Sequence, residues 1–431
     1  MKKIIWRNLS RNKRARVLER PTISLKNIKN EVSKIIEKVK SKGDVALFDL
    51  SIKYDLVEID SLQVSEKEFE QAEKSLSEET IKALKEAYAS IEIFHKAQKP
   101  NNLSIETNSG VLCERIFVPI QNIGLYVPAG TAPLPSTAMM LGVPAQIAKC
   151  PIKILCSPPE PDGNCNAEIL FVAKMCGINN VYKVGGAQAI AAMAYGTSTI
   201  PKVDKIYGPG NAWVTEAKTQ VSQDSFGLSR DMPAGPSELL VIADKSSNPN
   251  FVASDLLSQA EHGHDSQVIL VTDNEKLCDK VLEEIKIQIP TRERRNIIEQ
   301  SIKSSRAIVV DDISKAIEIS NSYAPEHLIL NVDQPRSMLS DIISAGSIFL
   351  GPWSPESIGD YCSGTNHVLP TYGYAKSISS LGVVDFMKSM TIQELTKEGI
   401  KKIGPTGIKI ADLEGLDAHS YAIKTRLASL K

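Results

Sequence analysis

The chain has few aromatic residues, almost no net charge and no long apolar run, and each of these absences argues against a large class of protein. Only 5% of its 431 residues are aromatic and the formal net charge is −1, so it has no overall bias toward polyanions and nucleic acid is not an expected partner. No apolar run approaches the roughly 20 residues of a membrane span. The first residues also lack the apolar core of a secretory signal. These absences predict a soluble globular protein without a membrane or nucleic-acid partner.

Cysteine use is also sparse. The seven cysteines are odd in number, scattered and free of any C-x-x-C pair. A disulfide framework and a thiolate zinc site are therefore not indicated, and the cysteines are expected to pack in the core. A reducing cytoplasm is the expected compartment.

Hydrophobic patterning predicts an α/β fold. Residues 26–99 read as amphipathic helices rich in Lys and Glu, with Gly43-Asp44 between them. From Gly124 onward, short β-branched runs alternate with helical stretches, and a second such series begins at S-E-L-L-V-I-A-D. The alternation predicts two successive modules of parallel sheet and helices, with D-M-P-A-G-P-S as a hinge and a helical stretch to the C-terminus.

The segment S-Q-A-E-H-G carries side chains that can bind a metal. Gln259 and His262 are three residues apart, so a helix would stack them on one face before Gly263 ends it. Asp360 and His419, far along the chain, would complete a nitrogen and oxygen ligand set suited to zinc. Surface residues that never meet are the alternative, which spacing alone leaves open.

A second candidate is the adjacent pair Glu326 and His327 in Y-A-P-E-H-L-I-L, directly before an apolar strand. Residues at the start of a parallel strand are expected at a sheet edge, accessible to substrate. An imidazole is a natural general base and a neighbouring carboxylate can activate water. A hydrogen-bonded loop pair is the alternative interpretation.

Glycine-rich pieces flank several predicted strands: G-L-Y-V-P-A-G-T-A-P, V-G-G-A-Q-A and I-Y-G-P-G-N-A-W. None is a G-x-G-x-x-G, and their spacing favours turns over nucleotide loops. Three such pieces in one module nevertheless suggest a ligand near the carboxyl ends of its strands.

Long ordered motifs give the chain a resemblance to the histidinol dehydrogenase family, from about Arg20 to the C-terminal helix. They are G-L-Y-V-P-A-G-T-A-P-L-P-S-T, V-G-G-A-Q-A-I-A, K-I-Y-G-P-G-N, D-M-P-A-G-P-S-E, S-Q-A-E-H-G, P-E-H-L and G-D-Y-C-S-G-T-N-H-V-L-P-T. The resemblance implies oxidation of L-histidinol to L-histidine through L-histidinal with two NAD+, the final step of histidine biosynthesis. It also implies a zinc-dependent homodimer with one Zn2+ per subunit.

The resemblance also assigns roles to residues. His327 would be the general base and Glu326 the group that activates water. The metal ligands would be Gln259, His262, Asp360 and His419, and the positions touching NAD would be Tyr126, Gln188 and Asn211. The substrate contacts would be Ser237, Gln259, His262, His327, Asp360, Glu414 and His419. The tail that bears Glu414 and His419 would reach into the active site of the partner subunit.

The pattern and the resemblance together predict two incomplete Rossmann-like parallel-sheet domains, a helical N-terminal arm and a helical C-terminal tail. The arm would span 1–25, the main domain with the zinc and catalytic residues 26–125 plus 237–381, the NAD-contacting domain 126–236 and the tail 382–431. The arm carries a basic cluster, expected to be a solvated face or a partner contact: Arg7, Arg11, Lys13, Arg14, Arg16 and Arg20.

Small departures from the family pattern leave the reaction class unchanged. Ala129 stands where glycine is frequent, His264 where proline is usual, and 161–166 reads as a variable turn. Three rival functions remain at this point: a dehydrogenase of another polar primary alcohol, a zinc-dependent hydrolase, and a catalytically silent binding protein.

Overall fold

The structure is a computed structural model that describes residues 1–21, 25–129, 132–224, 227–232 and 235–430. Parts of five predicted features lie outside these ranges. They are residues 22–24 at the end of the arm, 130–131 of the first glycine-rich piece, 225–226 of the NAD-contacting domain, 233–234 of the expected hinge and 431 of the tail.

Within the described ranges the strands fall into three sheets. They are β1 (Lys2–Ile5), β2 (Leu103–Asn108), β3 (Val111–Pro119), β4 (Asn122–Tyr126), β5 (Ile152–Ser157), β6 (Asn180–Lys183), β7 (Lys205–Tyr207), β8 (Ser229–Arg230), β9 (Glu238–Ala243), β10 (Gln267–Thr272), β11 (Arg306–Val309), β12 (His327–Asn331), β13 (Ser347–Leu350) and β14 (Met387–Leu395).

The larger sheet has six parallel strands in the order β1-β11-β10-β9-β12-β13. Its central strands β9, β10 and β12 are buried along their whole length. Their continuous apolar runs fit a parallel sheet covered by helices on both faces. The smaller sheet, β6-β5-β4-β7-β8, is also parallel. The predicted fold class is confirmed.

The helices are α1 (Arg11–Val17), α2 (Leu25–Lys42), α3 (Asp44–Leu50), α4 (Glu66–Ser75), α5 (Glu78–Ala97), α6 (Pro135–Ile147), α7 (Ala167–Met175), α8 (Gly186–Tyr195), α9 (Ala212–Ser222), α10 (Pro249–Ala260), α11 (Glu275–Gln288), α12 (Arg295–Ser304), α13 (Ile313–Tyr323), α14 (Glu356–Tyr361), α15 (Lys397–Leu413) and α16 (Asp417–Ala428). As described, no helix is long and apolar enough to cross a membrane.

The predicted helices of residues 26–99 pack mainly around the smaller sheet. Helix α2 lies against α8 and α9, while α4 packs on α7 and α5 on α6. Apolar side chains such as Val32, Ile35 and Val39 join the core beneath α8. These helices therefore cover the smaller sheet. The division of the chain into domains stays a prediction.

Both ends of the chain contain a strand where helix was expected. In the arm, β1 pairs in parallel with β11 and so extends the larger sheet. In the tail, β14 pairs antiparallel with β3 before α15 and α16 begin. The three strands β14-β3-β2 form a separate sheet, and β2 and nearly all of β14 are exposed. Arm and tail are thus only partly helical.

Candidate active site

The candidate catalytic residues gather at the amino edge of the larger sheet. Ser237 directly precedes β9, Glu326 directly precedes β12, and His327 is the first residue of β12. Helix α10 runs antiparallel to the strands and ends at Ala260, so it delivers Gln259 to the same edge. Because parallel strands all begin at one edge, residues distant in sequence meet there.

His327 is at the centre of this cluster. Its Nδ1 lies 3.1 Å from the carbonyl oxygen of Glu238 and 3.4 Å from Nε2 of Gln259. Its Nε2 lies 3.7 Å from a carboxylate oxygen of Asp360 and 3.9 Å from one of Glu356. Residues that are distant in sequence, from β9, α10 and α14, therefore face one imidazole.

The expectation of an accessible pair needs correction. Glu326 is 7% exposed and His327 only 3% exposed, because β12 lies inside the sheet between β9 and β13. Glu326 accepts a hydrogen bond of 2.8 Å from the backbone N–H of Glu238. The pair is thus held away from solvent, which strengthens its electrostatic interactions.

Burial and neighbouring charges shift the pKa values of this pair. Burial raises the pKa of Glu326 to about 8. For His327, burial lowers the pKa, but the facing carboxylates of Glu326, Asp360 and Glu356 outweigh it and raise the pKa to about 10. Burial opposes ionisation of Asp360, yet contact with His327 holds its pKa below the usual range. Asp360 therefore keeps its negative charge beside an imidazole whose protonated form is favoured, whereas burial favours the neutral form of Glu326.

Three buried polar atoms of this cluster have no hydrogen-bond partner: Oε1 of Gln259, Nε2 of His327 and Oε1 of Glu356. Buried polar groups are ordinarily satisfied, so such a group of free atoms points to an absent ligand or ion. Donor atoms of His327, Glu356 and Asp360 also lie within 4.8 Å of one another. Nitrogen and carboxylate oxygen donors at this spacing fit a divalent cation such as zinc.

The structure brings together some of the predicted metal ligands. Gln259 and Asp360 both reach His327. His262 follows the end of α10, earlier than the predicted helix end at Gly263, and its Nδ1 lies 3.3 Å from the hydroxyl of Ser237. His419 is on α16, exposed to solvent. Three of the four predicted ligands are therefore near the cluster in a single chain.

The predicted tail residues lie at the tip of the C-terminal hairpin of helices. Glu414 follows α15 and His419 is in the first turn of α16, with Gly415 between them at a positive φ of 71°. Both side chains are exposed, and in the described part of the chain neither is hydrogen-bonded to the residues around His327. In the described part of the chain, Glu414 and His419 therefore lie apart from the cluster around His327.

Two members of the cluster were missed from sequence. Glu356 is 1% exposed and accepts a hydrogen bond of 3.1 Å from Ser258. The sequence did indicate Glu356, because it lies four residues before Asp360 and a helix places such a pair on one face. His367 lies in the same G-D-Y-C-S-G-T-N-H motif as Asp360 but was not among the predicted site residues. It contacts the Asp360 carbonyl oxygen at 2.9 Å and Thr137 of α6 at 3.2 Å, so it connects α14 to α6.

The predicted cofactor residues meet at the carboxyl edge of the smaller sheet. Tyr126 ends β4, Gln188 is in the first turn of α8 after β6, and Asn211 follows β7. The Tyr126 hydroxyl accepts a hydrogen bond of 3.0 Å from the N–H of Gly186, and Asn211 caps α9 through Trp213. Helix N-termini grouped at such an edge favour a pyrophosphate.

The turn after β7 requires glycine. Gly208 has a φ of 119°, and a Cβ there would lie 2.0 Å from the carbonyl oxygen of Tyr126. Asp231 accepts from the Gly208 N–H at 2.7 Å, while the buried Lys218 ammonium donates to Asp231 at 2.6 Å. This ion pair fixes the turn that presents Asn211 at the edge of the sheet.

The departures from the family pattern do not reach the catalytic cluster. His264 is exposed beyond α10, and Ala129 packs, half-buried, against the core of the smaller sheet. In 161–166, Asn166 caps α7 by accepting from the N–H of Ile169. These positions are structural or on the surface.

The fold and the site define an α/β enzyme with two parallel sheets and a buried Glu-His pair beside unpartnered metal-type donors. A family model described as histidinol dehydrogenase matches residues 18–427. The chain belongs to the histidinol dehydrogenase family. The predicted enzyme class, an NAD-dependent dehydrogenase, is confirmed.

Relatives match over the whole length. A histidinol dehydrogenase of Vibrio vulnificus is 53% identical over 431 residues, covering 100% of this chain and 99% of the relative. One of Colwellia psychrerythraea is 50% identical over 98% of each chain. The crystal structure of histidinol dehydrogenase from Elizabethkingia anophelis superposes with a TM-score of 0.96 at 47% identity, covering 100% of this chain and 98% of that one.

Proposed function

We propose that the chain oxidises L-histidinol to L-histidine through L-histidinal with two NAD+, the final step of histidine biosynthesis, in the cytoplasm. The observation that carries the proposal is the buried pair Glu326 and His327 with an unpartnered Nε2 facing a pocket of metal-type donors. A four-electron oxidation consumes one water and releases two hydrides and three protons. It therefore needs a base that works twice and a group that activates water.

His327 suits the part of the base. When its Nδ1 donates to the Glu238 carbonyl oxygen at 3.1 Å, the neutral imidazole presents its Nε2 lone pair to the metal-type donors. A cation bound beside Asp360 would offset the negative charge that raises the pKa of His327 and would favour this neutral form. That nitrogen can take the proton of the alcohol as hydride leaves the carbon, and later the proton of the hydrated aldehyde. The hydrogen bond to a backbone oxygen fixes both the tautomer and the ring plane.

Glu326 suits the activation of water between the two oxidations. One carboxylate oxygen is held by the Glu238 N–H at 2.8 Å. The other can accept a proton from the water that attacks the aldehyde carbon once Glu326 is ionised, which its raised pKa of about 8 favours at mildly alkaline pH. Because Glu326 is buried, the pocket admits little bulk water, and the aldehyde stays bound between steps.

Gln259, His262, Asp360 and the partner's His419 would hold one Zn2+ per subunit. The donor chemistry fits, since the amide oxygen of Gln259 is buried and unpartnered and Asp360 keeps its charge. When bound, the ion supplies an anchor for the imidazole and amino nitrogens of the substrate. Ser237 and Glu414 would provide further polar contacts to the substrate.

The smaller sheet would bind NAD at its carboxyl edge through Tyr126, Gln188 and Asn211. Two features of the fold support this placement: the glycine turn fixed by Lys218 and Asp231, and the contact of His367 with Thr137 that joins this edge to Asp360. The nicotinamide would then face the substrate across the gap between the sheets.

A homodimer with exchanged tails would complete each site. Support comes from apolar side chains exposed on the tail, which a monomer would leave in water: Met390, Ile392, Leu395, Ile410, Leu413, Leu416 and Tyr421. They share this part of the chain with Glu414 and His419. The same surface would thus bury apolar area and deliver two polar side chains to the partner.

The test is the absorbance of reduced nicotinamide with purified protein, L-histidinol and NAD, before and after chelation and after zinc is restored. Two reduced nicotinamides per histidinol, lost on chelation and recovered with zinc, are expected. No signal from a zinc-loaded dimer would contradict the proposed substrate, and a panel of other polar alcohols would follow. Zinc-stimulated ester or amide hydrolysis without NAD would favour the hydrolase.

A further inference from the structure

One residue of the basic N-terminal arm is buried behind the catalytic pair. The side chain of Arg20 is only 15% exposed, and its guanidinium stacks 3.9 Å from the centre of the Tyr323 ring. Its Nε donates to one carboxylate oxygen of Glu238, and a terminal nitrogen donates to the other at 2.9 Å. Of the two alternatives expected for the basic cluster, a solvated face or a partner contact, the solvated face is therefore wrong for Arg20.

Glu238 connects this arginine to both catalytic side chains. Its N–H donates to Glu326 at 2.8 Å, and its carbonyl oxygen lies 3.1 Å from Nδ1 of His327. A single residue thus orients the carboxylate and the imidazole from its own backbone. Its side chain, 3% exposed, is held by Arg20 and by the N–H of Tyr372 at 2.9 Å.

Arg20 also holds the turn from which the pair emerges. The terminal nitrogen that binds Glu238 also donates to the carbonyl oxygen of Tyr323 at 2.8 Å, and it lies 3.3 Å from that of Ala324, two residues before Glu326. Ala324 has a φ of 53°, in the left-handed region that an alanine rarely adopts. This strained turn needs support from its surroundings, and Arg20 bonds it directly.

We propose that Arg20 is a positioning residue of the active site, which fixes Glu326 and His327 by clamping Glu238 and the 323–324 turn with one guanidinium. The inference rests on the proposed roles of that pair. Several coplanar N–H donors are needed, because the Glu238 carboxylate and the two carbonyl oxygens all lie around the Arg20 guanidinium. The N-terminal arm is then part of the catalytic scaffold.

The main experiment compares Arg20→Gly and Arg20→Lys with the unaltered holoenzyme. In Arg20→Gly, kcat is expected to fall on the order of 10²-fold, the scale of a displaced catalytic group. Bound zinc and KM for histidinol should stay close to those of the unaltered enzyme. Millimolar guanidinium chloride should restore kcat in a saturable way, whereas sodium chloride at equal ionic strength should not.

Arg20→Lys keeps the positive charge near Glu238 and serves if the glycine variant does not fold. It should lose most of kcat, because an ammonium group cannot bind a carboxylate and two carbonyl oxygens in one plane. Arg7→Ala is the matched control from the same arm. Its ion pair with Asp311 is exposed, so its kcat should be unchanged.

Unaltered kcat in folded Arg20→Lys would overturn the inference. So would a loss of kcat in either variant that is matched by an equal loss of zinc or of folded protein. Glu326→Gln and His327→Asn, assayed in parallel, distinguish a failure of the Arg20 inference from a failure of the proposed function. If those two variants stay active, the proposed roles fail; if they are inactive while the Arg20 variants are not, only the inference fails.

Discussion

At the scale of single residues, His327 and Glu326 have different surroundings although they are neighbours in sequence. The imidazole faces carboxylates of α14 through Nε2, whereas the carboxylate of Glu326 points back to the start of β9. Their roles can therefore be separated by substitution.

Glu326→Gln should slow the second oxidation much more than the first. Glutamine keeps the hydrogen bond from the Glu238 N–H but cannot take a proton from water. Hydration of the aldehyde should slow by about 10²–10⁴-fold, the range of a lost general base. Reduced nicotinamide per histidinol should drop from two toward one, with aldehyde trapped by added hydroxylamine. A ratio that stays at two would contradict the role.

His327→Asn should abolish turnover while leaving bound zinc unchanged, because the imidazole acts as a base and is not among the proposed ligands. Metal analysis of purified protein and the nicotinamide assay check both parts. Because Nε2 lies near Glu356 and Asp360, His327 could also bind a metal ion, and the zinc content of the variant distinguishes a base from a ligand. Loss of zinc from the variant would make His327 a ligand instead.

At the scale of elements, α10 combines an apolar face with polar residues that reach the amino edge of the larger sheet. Gln259 is fully buried near its C-terminal end, and Asp255, one turn earlier, is also buried. Burial alone raises the pKa of Asp255 to about 7. The helix therefore keeps a carboxyl group where an apolar side chain would be expected.

Asp255→Asn should stabilise the fold in a pH-dependent way. The folded-state pKa is raised, so the cost of ionising Asp255 appears as pH rises above about 4 and is complete above about 7. A pKa of about 7 against the ordinary 3.8 sets an upper bound of roughly 4 kcal/mol on the gain at pH 8. The gain should shrink toward pH 5 in urea unfolding.

The exposed Asp60→Asn serves as control for the loss of a surface carboxylate and should show no such trend. Equal gains for Asp255→Asn at pH 5 and pH 8 would show that the carboxyl group is not the cause.

The tail shows why element prediction from sequence was incomplete. The segment M-K-S-M-T-I-Q-E-L lacks a regular alternation of apolar and polar residues, and its side chains are almost all exposed in β14. Its nine residues form a strand because they pair with β3 from Val111 to Pro119. A long-range partner thus decided the conformation, which local pattern could not.

At the scale of the whole molecule, the exchanged tail can be tested by complementation. A mixed dimer would pair one subunit carrying His327→Asn with one carrying His419→Asn, isolated through two different affinity tags. If tails exchange, one site combines an intact His327 with an intact His419 from the partner, and the mixed dimer should have about half the unaltered activity.

Both parental homodimers should be inactive, which gives the baseline. If each tail instead folds back on its own subunit, every site in the mixed dimer lacks one histidine and activity should stay at that baseline.

The sequence alone determined the fold class and the family, because continuous apolar strands, helical periodicity and long ordered motifs are local in the chain. It also singled out Gln259, His262, Glu326, His327 and Asp360 by residue type. Only the tertiary structure decided that His327 is buried, that Glu356 faces it and that Arg20 supports it through Glu238. Those relations depend on which strands become neighbours in a sheet and on how far burial removes water, and neither is encoded in the spacing of residues.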